Sequence, residues 1–430
     1  MTFASRLKKR LYFTVAAYFR FFANFSLRRW QPRIIVITGS VGKTTMLHLL
    51  EQELGKKAHY SHNANSAYGI SFDILGLQGI TGSKLRWFYL FLAAPVRAFY
   101  YQHSEKFYIA EIDGERPFEA EFLARWLKPE VTFWLSLGRS HAIQFQQQVK
   151  DGIFDSVDQA IAHEFAMLPQ YTSHRIYIDN DVPLISETID KIQQNHNISA
   201  QIIGCSKADL KDYSVFPDHT SIKINQTEFI FSEPIPRDIT IQLVMLIDFC
   251  KYLNISLKTD LSHLTMPPGR NSFFQGKNGL KIIDSSYNAH LISVKSILEM
   301  TQALKVKHKW LVIGDMVEQG DIEGEEHRKL AEVIAEVKPE QVILIGRRTK
   351  KYTAPVLKKL GFTAFTTNDP HQALKFIQTH ATGKETIVFK GSQYLEWIIE
   401  KLLKNPSDSS RLPRREKAAV KRRLKKGLDS

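Results

Sequence analysis

Cysteine is scarce in this chain: two in 430 residues, Cys205 and Cys250, far apart and in no C-x-x-C pair. A disulfide framework and a cysteine-built zinc site are therefore excluded, which suits a reducing cytoplasm. Long apolar runs are missing too. Residues 11–25 (LYFTVAAYFRFFANF) are aromatic and apolar but broken by Arg20, and fall short of the roughly 20 residues a bilayer span requires. They lack a small-residue cleavage site and an apolar strand follows almost at once, which argues against a cleaved signal peptide. There is no repeat of solenoid period, no zinc-finger spacing and no RNP-like aromatic motif, so no nucleic acid is expected as partner.

What is present is mostly ordinary. With 43% hydrophobic and 24% charged residues the chain reads as a soluble globular protein, and its length allows two or three domains. The net charge of +14 is unevenly spread. Much of it lies in residues 411–426 (RLPRREKAAVKRRLKK), and Arg6, Lys8, Lys9, Arg10, Arg28 and Arg29 flank the aromatic stretch. Basic ends on a mixed chain point to an anionic surface, here a membrane; a merely solvated tail is the alternative. A basic-flanked aromatic helix suits the lipid interface, and its plain alternative is a helix packed on the protein's own core. Residues 85–101 (LRWFYLFLAAPVRAFYY) form a second aromatic patch, interrupted by Pro95 and Arg97, fit for a membrane, partner, dimer or core contact. Residues beyond about Asn405 read as an extended or disordered arm.

The chain is organised around Ile34-Ile35-Val36-Ile37-Thr38-Gly39-Ser40-Val41-Gly42-Lys43-Thr44-Thr45. The β-branched run predicts a buried strand, and the glycines turn it into a helix beginning near Thr44. Such a turn aims backbone N–H groups of Gly39, Ser40, Val41 and Gly42 and the helix dipole at a phosphate. Lys43 then reaches the β- and γ-phosphates, and the Thr44 hydroxyl ligates Mg²⁺. The alternative is an ordinary glycine-containing turn.

Strands and helices alternate from here to about Met266. Phe107–Ala110 predicts a strand ending at Glu111, Val131–Leu135 one ending near His141, and Arg175–Ile178 one stopping at Asp179. A polar turn holding Asn63, Asn65, Ser66 and Gly69 precedes an apolar helix, and a long apolar helix covers about 240–253. The Met-Pro-Pro-Gly of 266–269 is the domain boundary. Beyond it, Leu280–Ile283, Trp310–Ile313, Val342–Ile345 and Thr386–Phe389 predict a second parallel sheet. The expected fold is α/β: a P-loop ATPase domain with a parallel sheet (34–266) and a C-terminal Rossmann-like α/β domain (267–404), between a basic aromatic segment (1–33) and a basic tail (405–430). Ligands sit at the carboxyl ends of such strands, so Glu111 and His141 are candidates to hold Mg²⁺ or its water shell.

The shortened loop T-G-x-x-G-K-T-T resembles that of the Mur ligase family. So do further segments, in the family's order over about residues 34–400. Glu111–Pro117 resembles the metal-binding E-[LM]-G segment, Gly138–His141 its G-x-x-H, and Tyr177–Asp181 its N-x-D-D/N. Pro268-Gly269-Arg270 matches P-G-R, Ile283–His290 resembles D-D-S-Y-N-A-N-P, Gly314–Gly320 with His327 resembles G-D-M-x-E-L-G…H, and Lys390-Gly391-Ser392 resembles K-G-S-R. The wording is closest to the MurF type, which adds D-alanyl-D-alanine to the muramoyl tripeptide. The resemblance implies an ATP- and Mg²⁺-dependent amide-bond ligase acting through an acyl phosphate on a carboxylate acceptor and an amino acid or dipeptide, in cell-wall precursor synthesis. It implies that Lys43, Glu111, His141 and Glu164 serve catalysis, with Thr44, Glu111, His141 and Glu164 at the metal. Thr45, Arg270, Asp284 and Asn288 join the loop at the nucleotide, and Asn65, Tyr287, Asp315, Glu318, His327 and Lys390 meet substrate.

Three departures shape the expectations. The phosphate loop starts about 33 residues in, leaving no room for the domain that holds a uridine nucleotide in the MurF type, so a lipid-linked acceptor reached from the inner face of the membrane is the alternative. Glu164 stands where the family carries a carbamylated lysine; it either supplies that carboxylate or marks lost turnover, which would make the chain a nucleotide-binding partner of cell-wall enzymes. Arg237–Ile241 replaces the H-N-x-x-N that meets adenine.

Overall fold

The computed structural model describes residues 3–62, 64–79, 84–139, 142–317, 319–392 and 394–428. His141 and Glu318, two of the expected site residues, lie outside them. The chain divides into two compact units, Met1–Ser206 with Val244–Leu257, and Lys207–Leu243 with Lys258–Ser430.

The first unit is built on a wholly parallel six-stranded sheet of β1 (Arg33–Thr38), β2 (Ala58–Tyr60), β3 (Phe107–Glu111), β4 (Val131–Trp134), β5 (Arg175–Asp179) and β6 (Gln201–Cys205), in the order β2-β3-β1-β4-β5-β6. β1, β3 and β4 are buried almost throughout, as strands covered on both faces must be, which is why they read as continuous apolar runs. The register sets Ile37 beside Glu111 and Thr38 beside Trp134. The carboxyl ends of β3, β1 and β4 thus finish level, around the phosphate loop.

The N-terminal segment is one 28-residue helix, α1 (Phe3–Trp30). After α2 (Lys43–Leu54) and α3 (Ala67–Ile74), α4 covers Lys84–Tyr100. One face of α1 buries Phe19, Ala23 and Leu27 in a core shared with α3 and α4; Phe19 packs its ring 4.7 Å from Phe72 and 5.0 Å from Phe91. The other face exposes Phe21 and Phe25. Proline 95 does not break α4. It cannot donate to the carbonyl of Phe91 one turn back, and the Tyr18 hydroxyl of α1 donates to that oxygen instead, at 2.8 Å. Among the described residues no helix is long and apolar enough to cross a membrane.

The second unit carries a three-stranded antiparallel sheet, β7 (Leu210–Val215), β8 (Thr220–Ile224) and β9 (Thr227–Phe231). Its larger sheet comprises β10 (Ser272–Gln275), β11 (Lys281–Ser285), β12 (Lys309–Gly314), β13 (Gln341–Ile345), β14 (Ala364–Thr367) and β15 (Thr386–Lys390). Their order is β10-β11-β15-β12-β13-β14, parallel except for β10. Val215 of β7 joins the core beneath this sheet.

The expected disordered arm past Asn405 is a correction. Residues 417–424 are helical, Leu412 and Leu428 enter the core, and Arg423 is 1% exposed. Glu400 takes an ion pair from Arg415 at 2.8 Å and from Arg423 at 3.0 Å. Arg414 donates to the carbonyls of Ser286 at 3.1 Å and Tyr287 at 2.7 Å. Charge counting along the tail cannot reveal Glu396 and Glu400, one helical turn apart on Leu395–Leu402, which receive these arginines.

Candidate active site

Gly39 and Gly42 take φ of +128° and +88°, conformations a side chain disfavours. A Cβ on Gly39 would also stand 2.9 Å from the backbone nitrogen of Ser136. Gly42 precedes α2, and it offers no side-chain cap to the helix's first N–H groups, so these remain available to an anion. The loop is held from the end of β4: Ser40 Oγ donates to the Gly138 carbonyl and accepts from its N–H, both at 2.8 Å. Ser136 Oγ does the same with Val41, both at 2.9 Å.

Lys43 Nζ lies 2.5 Å from the Gly39 carbonyl and 2.8 Å from Asp113 Oδ1. Asp113 in turn accepts from the Asn65 side-chain amide. Thr44 Oγ1 faces both oxygens of Glu111, at 3.2 and 3.1 Å, and Thr45 follows in the same helical turn. The structure therefore gathers the loop, Asn65, Lys43, Thr44 and Glu111, and adds Asp113 and Ser136, which sequence reasoning missed. Asp113 stands two residues beyond Glu111 in the same segment, a signal available in the sequence. A hydroxyl facing a carboxylate is a hard-oxygen donor set of the kind Mg²⁺ takes.

Glu164, on the helix Val157–Gln170, is 4% exposed. Its carboxylate accepts from the N–H of Phe118 at 2.8 Å and of Ala120 at 2.6 Å. These begin the helix α5 (Glu119–Leu127), which has no cap from its own N-terminal residue, so Glu164 caps it. Burial pushes this carboxyl up to about 8, against the opposing pull of the two N–H donors.

In the second unit the expected residues gather at the carboxyl edge of the parallel strands. Lys390 ends β15 with Ser285 of β11 and Ile313 of β12 as register neighbours. Burial lowers Lys390 to about 7, helped by the charge of Arg270 and opposed by Asp284. Asp284, wholly buried, is pushed up to about 6 by burial; Oδ1 accepts from the Ser286 N–H at 2.9 Å and Oδ2 has no hydrogen bond. The Arg270 guanidinium lies 5.1 Å from the centre of the half-exposed Tyr287 ring. Tyr287 N–H donates to the Gly269 carbonyl at 3.1 Å, and Gly269, with φ +74°, has room for no Cβ beside it. Asn288 accepts from the Ala289 N–H at 2.8 Å.

Asp315 and His327 are committed internally. Asp315 accepts from the N–H groups of Arg348 and Thr349, at 3.1 and 2.9 Å, and from the Thr349 hydroxyl at 3.1 Å. His327 Nε2 accepts from the Met316 N–H at 3.2 Å, so the proton sits on Nδ1, 2.8 Å from the Glu323 carbonyl. Burial lowers its pKa, in keeping with that neutral ring.

Residues 269–393 match the model of the Mur ligase glutamate ligase domain. The chain is 24% identical over 395 residues to the UDP-N-acetylmuramoyl-tripeptide–D-alanyl-D-alanine ligase of Bacillus subtilis, covering 88% of this chain and 78% of that one. It is 23% identical over 334 residues to the ligase of the same name from Borreliella burgdorferi, covering 75% of this chain and 64% of that one. In three dimensions it is similar to a MurF ligase from Thermotoga maritima, solved in complex with ADP, with a TM-score of 0.69 at 17% identity over 90% of this chain and 83% of that one. At such identity the structural likeness establishes the fold. Residues 269–393 thus carry a Mur ligase C-terminal domain, in a chain whose fold is that of a MurF ligase through nine-tenths of its length.

Proposed function

We infer that the chain is an ATP-dependent carboxylate–amine ligase of the EC 6.3.2 type, adding D-alanyl-D-alanine or another amino acid or peptide to a peptidoglycan precursor. The observation that carries this reading is the phosphate loop with Lys43 at its head and Thr44 against Glu111, in a chain bearing the family's C-terminal domain. A carboxylate oxygen of the acceptor attacks the γ-phosphorus of ATP, the bond to the bridging oxygen breaks, and ADP leaves. The amine nitrogen then attacks the acyl carbon, phosphate departs, and the amine gives up a proton. Lys43, with the α2 N–H groups, neutralises charge on the transferring phosphoryl group. Mg²⁺, when bound, supplies further charge neutralisation there, and Thr44 and Glu111 would hold it. His141 and Glu164 are assigned to the same centre by resemblance. Lys390 suits an anionic group of the amino substrate, and Tyr287, Asp315, Glu318 and His327 are assigned to that side by resemblance, as Arg270, Asp284 and Asn288 are to the nucleotide.

A second reading, a nucleotide-binding protein without turnover, draws on Glu164 being occupied in capping α5. Phosphate release from ATP is the test, measured with and without D-alanyl-D-alanine and with UDP-linked and lipid-linked muramoyl peptides. Release requiring both an acceptor and an amine is expected, and Lys43→Ala should abolish it. Nucleotide binding with no release under any combination would overturn the ligase reading.

A further inference from the structure

The helices α1 and α4 bury one face each and leave the other apolar. On α4, Leu90, Ala94 and Ala98 are fully buried at four-residue spacing. Opposite them Leu85, Phe88, Leu92, Val96 and Phe99 are each 55–82% exposed, also at helical spacing. The core has no use for this second stripe. It continues onto α1, where the ring of Phe25 stands 5.9 Å from Phe99 and 5.1 Å from Phe21. A joined apolar surface of this kind on a folded domain marks a contact site.

We propose that this joint face of α1 and α4 lies on the anionic leaflet of a membrane, independently of the ligase reading. Charge selects lipid over a second copy of the chain. Neither helix contains an aspartate or glutamate, whereas lysine and arginine recur along both. Arg29 donates to the carbonyls of Phe99 and Tyr101, Arg86 to that of Gln78 and Arg97 to that of Gly76. Carbonyls hold these guanidiniums in place without cancelling their charge. Pairing two such faces would set cation against cation. A bilayer of anionic lipids offers acyl chains to the phenylalanines and headgroups to the cations at once, and the exposed Tyr89 and Tyr100 suit the headgroup level.

The test is co-sedimentation of the full-length protein with vesicles of phosphatidylcholine alone or mixed with phosphatidylglycerol. Binding to the anionic vesicles is expected, weakened by salt and about tenfold or more by the triple substitution Phe88→Ser, Leu92→Ser, Phe99→Ser. Because Cys205 and Cys250 are buried, Phe88→Cys also accepts an environment-sensitive dye selectively, and its emission should shift to the blue on anionic vesicles. Failure to sediment, undiminished binding by a folded triple variant, or an unmoved dye would each overturn the proposal. So would a lipid-free dimer that the triple variant turns into a monomer, since the face would then be a contact between copies.

Discussion

Glu164 shows how one residue carries opposing demands. Two N–H donors favour its carboxylate, and burial favours its acid form and prevails, at about 8. A carboxyl raised above its unfolded value contributes stability that is fully present below the ordinary carboxylate range and lost as pH rises through about 8. The melting temperature should therefore fall between pH 5 and 9, and Glu164→Gln should flatten that fall; an equally steep profile in the variant would remove Glu164 as its source. Glu164→Ala strips two N–H groups of their acceptor and should cost about 1–3 kcal/mol by urea unfolding. Lys390, lowered to about 7, is mostly neutral at pH 8. An anionic group docking against it favours the ammonium form, so ligand binding at pH 8 should take up a proton. Calorimetry in two buffers of different ionisation enthalpy measures this, and Lys390→Met should abolish the uptake. Neither shift is visible in sequence, where resemblance marks Glu164 and Lys390 as site residues but shows nothing of the burial that moves them.

At the scale of elements, the phosphate loop was legible because its signals are local: a β-branched run, two glycines at fixed spacing, then a helix. The Pro95 interruption misleads for the complementary reason. A proline's cost to a helix is one lost donor and an orphaned carbonyl, and here Tyr18, 77 positions upstream, serves that carbonyl. Tyr18→Phe leaves the Phe91 carbonyl unpartnered and should destabilise the protein by about 1–3 kcal/mol in urea unfolding. Strands β10 and β14, at the two edges of their sheet, escaped sequence reading because edge strands lack the continuous apolar run of a doubly covered one.

The whole molecule redistributes charge that composition can only total. The +14 suggested two basic ends of like character, yet they differ. Arginines of the tail are spent on Glu396, Glu400 and nearby carbonyls, while Arg29, Arg86 and Arg97 of α1 and α4 donate to backbone carbonyls. Glu400→Ala would leave Arg423 buried without its partner, a loss of about 3–5 kcal/mol expected from urea or thermal unfolding. An unchanged midpoint would show that the tail is not a working part of the second unit. Vesicle binding should survive that substitution, since the cations proposed to meet lipid lie elsewhere.

The sequence by itself determined the central parallel strands of both sheets, the loop between β1 and α2, and the family's order of segments, since β-branched runs, glycine positions and motif spacing act over a few residues. Only the tertiary structure decided what stands against what. Asp113 meets Lys43, Ser136 and Gly138 lock the loop across nearly a hundred residues, Glu164 caps α5, and the tail folds onto Glu400. The reason is physical: such partners come together through strand order and register, which sum the packing of the whole chain rather than any stretch of it.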